Sequence, residues 1–422
     1  MAARCTDVLR HYVLLSFKVL SRRKFFTAIS IFGISFTLMV LMVATAMLDH
    51  AFGPGKPELK GERILVLGNA RVSGPHLIIN GRPGYALLDR YARNLPGAER
   101  ISFATGDPDT SVPVFVNDRK IEPVLKKTDA DFWQVFDFEF VEGRPFNQAE
   151  FEGGRRVAVI NRSTRGQLFG DGPALGRQVE LAGARFDVIG VVEDVSLFRV
   201  EPFSDIWVPY TTEASTAYRT QLLGNWTAIA LARDQAGKEQ LHDEFNSRMT
   251  RAELPEGANL IVAPFETRFE WLARSGPFSD SNDPESQAWR FALLLVIVAA
   301  LFTVIPIVNL VNLNVSRILE RSSEIGVRKS FGAPALTLVG QFVVENVLLT
   351  LIGGLLGLAL SSVTLRAINA STLIPYSQFT VNLRVFGYAL LLSLLFGFIS
   401  GVYPAWLMSR LHPVDALKGA MK

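Results

Sequence analysis

Cysteine is nearly missing from this 422-residue chain: Cys5 is the only one. With no second thiol there is no disulfide framework, and no C-x-x-C pair is available for metal or redox work. Cys5 reads as an idle thiol in a basic tail, since it lacks the small-residue context of a lipid-acylation site. The five histidines, His11, His50, His76, His242 and His412, are scattered and none pairs at metal-ligand spacing. No G-x-x-x-x-G-K-[ST] loop is present to cradle nucleotide phosphates, and no H-E-x-x-H or G-x-S-x-G motif is present. Charge is the most informative absence. It vanishes from Phe25–Leu48, Phe291–Ser316 and Val385–Ser409, and in Ala335–Leu365 only Glu345 is ionised.

A bilayer core of about 30 Å is crossed by about 20 apolar helical residues, and each uncharged stretch reaches that length. The expected fold class is therefore a membrane protein with an α-helical four-span transmembrane domain. A large α/β extracytoplasmic domain is inserted between spans 1 and 2. The expected boundaries are a cytoplasmic amphipathic helix over 1–24, the first span over 25–48 and the external domain over 49–288. The second span covers 289–316, a cytoplasmic segment 317–334, the third span 335–365, a short external loop 366–384, the fourth span 385–409 and a cytoplasmic tail 410–422. Basic residues support that orientation. Arg4, Arg10, Lys18, Arg22, Arg23 and Lys24 flank the first stretch, Arg317, Arg321, Arg328 and Lys329 lie between the second and third, and Arg410, Lys418 and Lys422 follow the fourth. Positive residues stay in the cytoplasm, which puts both termini there. The formal net charge is +3. It gathers at membrane boundaries instead of on one soluble face, so nucleic acid is not an expected partner. The first apolar stretch is also too long for a signal-peptide core of roughly 7–15 residues.

Residues 7–22 carry Val8, Leu9, Tyr12, Val13, Leu15, Val19 and Leu20 on one helical face, the pattern of a helix lying in the membrane interface. Within the external segment, strands are expected at Ile64–Leu67, Leu77–Ile79 and Val157–Ile160. Hairpins are expected over 112–125 and 178–192, and a short helix over Tyr85–Leu95. Two β-α-β units are expected, one around that helix and one spanning Trp226–Ala263. Acid pairs at Asp107/Asp109, Asp129/Asp131 and Glu193/Asp194 could serve general acid–base chemistry, but each lies among turn residues and reads as solvated loop. No catalytic residue is expected.

The segment Glu320–Ala333, ERSSEIGVRKSFGA, is dense in alternating charge. Glu320, Glu324 and Arg328 recur every four residues along one stripe that i,i+4 pairs can hold. Gly332 ends the helix and Pro334 prevents its continuation. Spacing alone fits either a docking surface or a plain topogenic loop. Glu345 is a carboxylate inside an apolar stretch and a functional candidate by position. It can pair with Arg328 or Lys329, relay a proton, or sit among headgroups. Gly353, Gly354 and Gly357 form a small-residue face for close helix packing, either at a dimer seam or within the subunit. Pro306 and Pro404 are expected to kink their helices.

Glu320–Ala333 strongly resembles the cytoplasmic motif of FtsX-like ABC permeases. Gln341–Glu345, Gly353–Gly357, Gly401–Ala405 and Pro413–Lys418 resemble the same family at matching spacing. Phe132–Asp194, with Phe136, Glu142-Gly143-Arg144-Pro145-Phe146, Leu168-Phe169-Gly170 and Val188–Val191, is similar to the periplasmic core domain of the MacB-like branch. The resemblance implies a permease subunit with no enzymatic activity of its own, working with a separate ABC ATPase subunit. Full macrolide exporters of this type carry the ATPase on the same chain, whereas this sequence starts almost at its first apolar stretch. ATP and Mg would be bound by the partner and no cofactor directly. Glu320, Arg321, Glu324, Ile325, Gly326, Arg328, Lys329, Gly332 and Ala333 would contact that ATPase, and Glu345, Gly353, Gly354, Gly357 and Pro404 would serve helix packing or coupling. Also implied are a homodimer or heterodimer of permeases, mechanotransmission to the periplasm, membrane lipid as neighbour and a possible periplasmic adaptor. The implied location is the bacterial inner membrane. Export of an antimicrobial, peptide or lipid-like substrate is the expected function. Signal transmission to a periplasmic or kinase partner and lipoprotein release are the alternatives.

Overall fold

A computed structural model of the chain describes residues 12–18, 20–22, 24–105, 110–116, 119–274, 287–301, 304, 308, 335–371 and 374–409. The chain divides into two units. One contains Met1–Asp49, Leu294–Leu373 and Phe379–Lys422, and the other His50–Leu293 together with the short piece Ile374–Gln378.

The first unit is helical. Lys24–Phe52, Ala335–Ala370 and Leu383–Ser409 are its long helices. The four-span expectation is corrected here. Among the described residues, two helices are long and apolar enough to cross a membrane: Lys24–Phe52, and Val343–Ala370 within the second long helix. Ala288–Leu301, and Leu383–Leu395 within the helix Leu383–Ser409, are shorter apolar segments of 10–17 residues among the described residues. Absence of charge alone does not set where a continuous apolar helix begins and ends. Of the expected amphipathic helix, residues 12–18 and 20–22 are helical, and its earlier residues lie outside the described ones.

The second unit is built on strands. In chain order these are β1 (Ile64–Leu67), β2 (Ala70–Gly74), β3 (Leu77–Pro83), β4 (Ala98–Thr105), β5 (Val114–Val116), β6 (Arg119–Ile121), β7 (Leu125–Thr128) and β8 (Phe140–Gly143), followed by β9 (Val157–Asn161), β10 (Gln178–Leu181), β11 (Ala184–Val192), β12 (Ile206–Pro209), β13 (Leu223–Gly224), β14 (Trp226–Ala232) and β15 (Leu260–Val262). A nine-stranded mixed sheet runs β1-β14-β4-β7-β12-β9-β11-β10, with β8 also on β11. β9 pairs β11, and β7 pairs β12, in parallel. A smaller sheet runs β13-β3-β2-β15.

The two expected β-α-β units are not units of one sheet. β3 lies in the small sheet while β4 lies in the large one, and β14 and β15 are divided the other way. Each connecting helical segment therefore carries the chain from one sheet to the other. The 112–125 hairpin is also shorter than expected: β5 pairs β6, and Leu125 starts β7 in the large sheet. The 178–192 hairpin forms as β10 and β11, in register from Leu181–Ala184 outward.

β9 and β14 are buried at every position, as expected of strands covered on both faces. Their neighbours Phe132, Phe136, Phe146, Trp207 and Phe245 are fully buried. Helix starts are capped by side chains, each contributing about 1 kcal/mol. Asn161 Oδ1 accepts from Thr164 N at 2.7 Å, and Asp234 Oδ1 from Gly237 N at 2.7 Å.

Candidate functional site

The expected ATPase contacts Glu320, Arg321, Glu324, Ile325, Gly326, Arg328, Lys329, Gly332 and Ala333 all lie outside the described residues, as does Pro306. Pro404 falls within the helix Leu383–Ser409.

Glu345 lies in the helix Ala335–Ala370 and is 3% exposed. Gln341, Asn346 and Thr350 are buried beside it in sequence. They recur at about one helical turn each, so a polar stripe runs along an otherwise apolar helix. Gly353, Gly354 and Gly357 mark close approach within one subunit. A Cβ on Gly353 would come within 2.8 Å of Ile34 Cγ2, one on Gly354 within 2.6 Å of Leu390 Cδ1, and one on Gly357 within 3.0 Å of Leu38 Cβ. Their missing side chains let three helices meet closely, with Ile34, Leu38 and Ala389 as the buried apolar cluster.

In the second unit the Glu142–Phe146 motif has a clear structural basis. Gly143 adopts φ 69°, a conformation open to glycine at low cost, and a Cβ there would strike the Ile189 carbonyl oxygen. Arg144 then donates to both carboxylate oxygens of Glu150, each at 2.8 Å. Glu150 completes a capping box with Asn147. The Arg144 bond, helped by the Asn147 N–H, pulls the Glu150 pKa down to about 2.

The acid pairs sort differently from expectation. Asp129 is not a solvated loop residue: it is buried, accepting from Ser102 Oγ at 2.6 Å, Phe103 N at 2.7 Å and Phe132 N at 3.1 Å. Burial raises its pKa to about 7 despite those donors. It fastens β4 to the helix Phe132–Val135. Glu193 pairs with Arg162 at 2.8 Å, and Asp194 accepts from Ser163 N and Oγ. Asp107 and Asp109 lie outside the described residues. No group of three His, Cys, Asp or Glu side chains suited to a metal ion occurs among the described residues.

Sequence reasoning missed a buried ionic cluster. Glu58 Oε2 accepts from Arg199 Nη1 at 2.8 Å and from Arg268 Nη1 at 2.5 Å. Arg268 Nε also lies 3.9 Å from Glu201 Oε2. Glu58, Arg199 and Glu201 are each under one tenth exposed. Burial outweighs the two guanidinium groups and pushes the Glu58 carboxyl up from its usual range. Lys126 completes the cluster, its Nζ donating to the carbonyls of Val200 at 3.1 Å and Glu201 at 2.5 Å. Burial lowers its pKa to about 7. These partners stand 141 and 210 residues apart for the two arginines, so no local spacing announces them.

Two family models match the chain in sequence order. The MacB-like periplasmic core domain matches residues 27–248, and the FtsX-like permease C-terminal domain matches residues 296–413. The uncharacterized ABC transporter permease YvrN of Bacillus subtilis is 27% identical over 308 residues, covering 70% of this chain and 70% of that protein. The macrolide export ATP-binding/permease protein MacB of Escherichia coli K12 is 30% identical over 291 residues, and that of Chromobacterium violaceum 28% over 295. Each of these two matches covers 68% of this chain and 42% of the longer relative.

Proposed function

The chain belongs to the MacB- and FtsX-like permease family, and from that premise we propose that it is the permease subunit of an ABC transporter, driven by a separate ATPase subunit. The observation that carries this reading is the order of the two matches, a periplasmic core domain followed by an FtsX-like permease domain. ATP and Mg belong to the partner. The chain sits in the bacterial inner membrane with both termini in the cytoplasm and the unit around the large sheet in the periplasm. The permease works as a dimer, and ATP-driven closure of the ATPase pair moves the periplasmic units.

The segment Glu320–Ala333 is the ATPase contact. Its carboxylates and guanidinium groups alternate as charge-assisted hydrogen bonding to a protein groove requires. Glu345 and the polar stripe around it serve helix coupling. Relatives named as macrolide export proteins support export of an antimicrobial or similar amphipathic compound over signal transmission or lipoprotein release.

Co-expression with candidate ATPases, followed by co-purification and reconstitution, tests the reading. A specific ATPase is expected to co-purify and to hydrolyse ATP faster in the complex. Reversing charge at Glu324 and Arg328 together is expected to lower ATPase affinity at least tenfold while the permease stays folded. Unchanged affinity in that double variant contradicts the assigned contact. Absence of any ATPase partner contradicts the function.

A further inference from the structure

The chain enters or leaves the second unit at three places: after Asp49, after Leu293, and around Ile374–Gln378. Within that unit, the segments at the first and third crossings, and the helix Arg268–Arg274 upstream of the second, converge on one loop, Ser196–Asp205. From the first crossing, the Gly53 carbonyl accepts from Arg199 Nη2 at 3.2 Å, Glu58 takes the Arg199 bond already described, and the His50 and Phe198 rings lie edge to face at 6.3 Å. Ahead of the second crossing, the helix Arg268–Arg274 sends Arg268 onto the Phe198 carbonyl and toward Glu201. The third is a five-residue visit. Tyr376 OH donates to Asp205 Oδ1 at 2.7 Å, the Ser377 and Ser196 hydroxyls meet at 2.8 Å, and Leu197 N donates to the Pro375 carbonyl at 3.3 Å.

The loop in turn is rooted in the middle of the large sheet. Asp205 accepts from Asn161 Nδ2 on β9 at 2.9 Å and from Val124 N at 2.8 Å, and Lys126 on β7 holds the Val200 and Glu201 carbonyls.

We propose that Ser196–Asp205 is a mechanical junction, which gathers displacement from the three chain crossings and delivers it to the central strands, with Arg199 and Tyr376 as its positioning residues. Two observations favour a junction that can switch over a static fastening. Tyr376 holds φ 56°, a left-handed conformation that a bulky residue keeps only when its surroundings over-determine it. Glu58 Oε1 is buried with no hydrogen-bond partner among the described residues, so a rearrangement that pairs it is favoured as soon as the chain is pulled. The loop's convergence is a feature of the second unit alone. The assignment of ATP as the source of displacement rests on the function proposed above.

The test uses the full chain in nanodiscs, with and without its ATPase. Without ATPase, Tyr376→Phe removes one hydroxyl and is expected to raise hydrogen exchange at the Leu197 and Phe203 amides about tenfold, the scale of one net hydrogen bond. With ATPase, wild type is expected to change protection across residues 196–205 on adding ATP. Tyr376→Phe is expected to lose that change while hydrolysing ATP within twofold of wild type, which a merely structural role would not produce. A Ser196→Cys, Ser377→Cys pair on a Cys5→Ser background, oxidised, restores the response to Tyr376→Phe if the attachment itself is what matters. Unaltered exchange in Tyr376→Phe without ATPase overturns the junction. An ATP response that survives in Tyr376→Phe overturns its role in transmission. Faster exchange in Tyr376→Phe together with no partner ATPase upholds the junction and rejects the transporter reading.

Discussion

The two units solve packing in opposite ways. The unit around the large sheet buries bulky rings: Trp207, Phe132, Phe136, Phe146 and Phe245 are almost wholly removed from solvent. The helical unit leaves large side chains outside, with Phe25, Phe32, Leu355 and Leu391 each more than 60% exposed, and brings its helices together over glycine. In water, burying an aromatic or aliphatic side chain contributes about 1.5–3 kcal/mol, so bulk at the centre stabilises. In lipid, apolar exposure carries no such penalty and close backbone approach supplies the contacts instead. Size is an asset in one core and an obstacle in the other.

Substitutions of opposite sense break or sharpen that comparison. Trp207→Ala is expected to cost the sheet unit about 3–5 kcal/mol through lost burial and a cavity, read as a lower urea midpoint for its tryptophan signal. An unchanged midpoint would mean that the ring is not part of the stabilising core. Gly354→Val does the reverse in the helical unit. Its added methyl groups meet Leu390, and overpacking is expected to cost about 1–3 kcal/mol. Thermal unfolding in detergent should fall accordingly, whereas the same change at the open Gly387, with nothing within 4 Å of its Cβ, should be neutral or slightly stabilising, since valine prefers a helix somewhat more than glycine does. Equal effects at the two glycines would refute close packing as the reason for Gly354.

Ionised groups extend the comparison within the sheet unit. The lowered pKa of Lys126, about 7 against an ordinary 10.5, means the unfolded chain holds a proton that the folded one gives up between those values. Stability should therefore rise with pH from about 7 to 10.5, with a slope up to about 1.4 kcal/mol per pH unit. Lys126→Met should flatten that rise, and a slope that persists would assign it to another group. Glu150 works in the opposite range. Its folded pKa of about 2 lies below the ordinary 4.5, so it contributes stability above 4.5 that is lost as pH falls through 2. Glu150→Gln is expected to cost about 1 kcal/mol at neutral pH and to reduce the acid dependence over that window. Acid titrations of wild type and variant that coincide would contradict it.

Legibility in the sequence followed how local the determinant is. β9 was readable because Val157–Ile160 is uniformly apolar, and the β10–β11 hairpin because Ala182-Gly183 marks its turn. β12 was overlooked: Ile206–Pro209 is four residues long, ends in proline, and owes its place to partners on β7 and β9. Asp129 looked solvated because turn-like residues flank it, yet Ser102 and the Phe103 amide, more than twenty residues away, draw it inside. The Glu58 cluster was invisible for the same reason at greater range. Family motifs supplied the ATPase contact expected at Glu320–Ala333, which charge spacing alone left open between docking and topology. Charge depletion located the apolar stretches but overstated how many reach spanning length among the described residues.

The central claim is that ATP used in the cytoplasm moves the sheet unit in the periplasm. A spin label at the exposed Glu180 of β10, introduced as Glu180→Cys on a Cys5→Ser background, measures it directly by electron–electron resonance between two copies in the reconstituted complex. The account predicts a defined distance between copies that shifts when ATP binds and returns after hydrolysis. A distance that stays fixed while the ATPase turns over would contradict it.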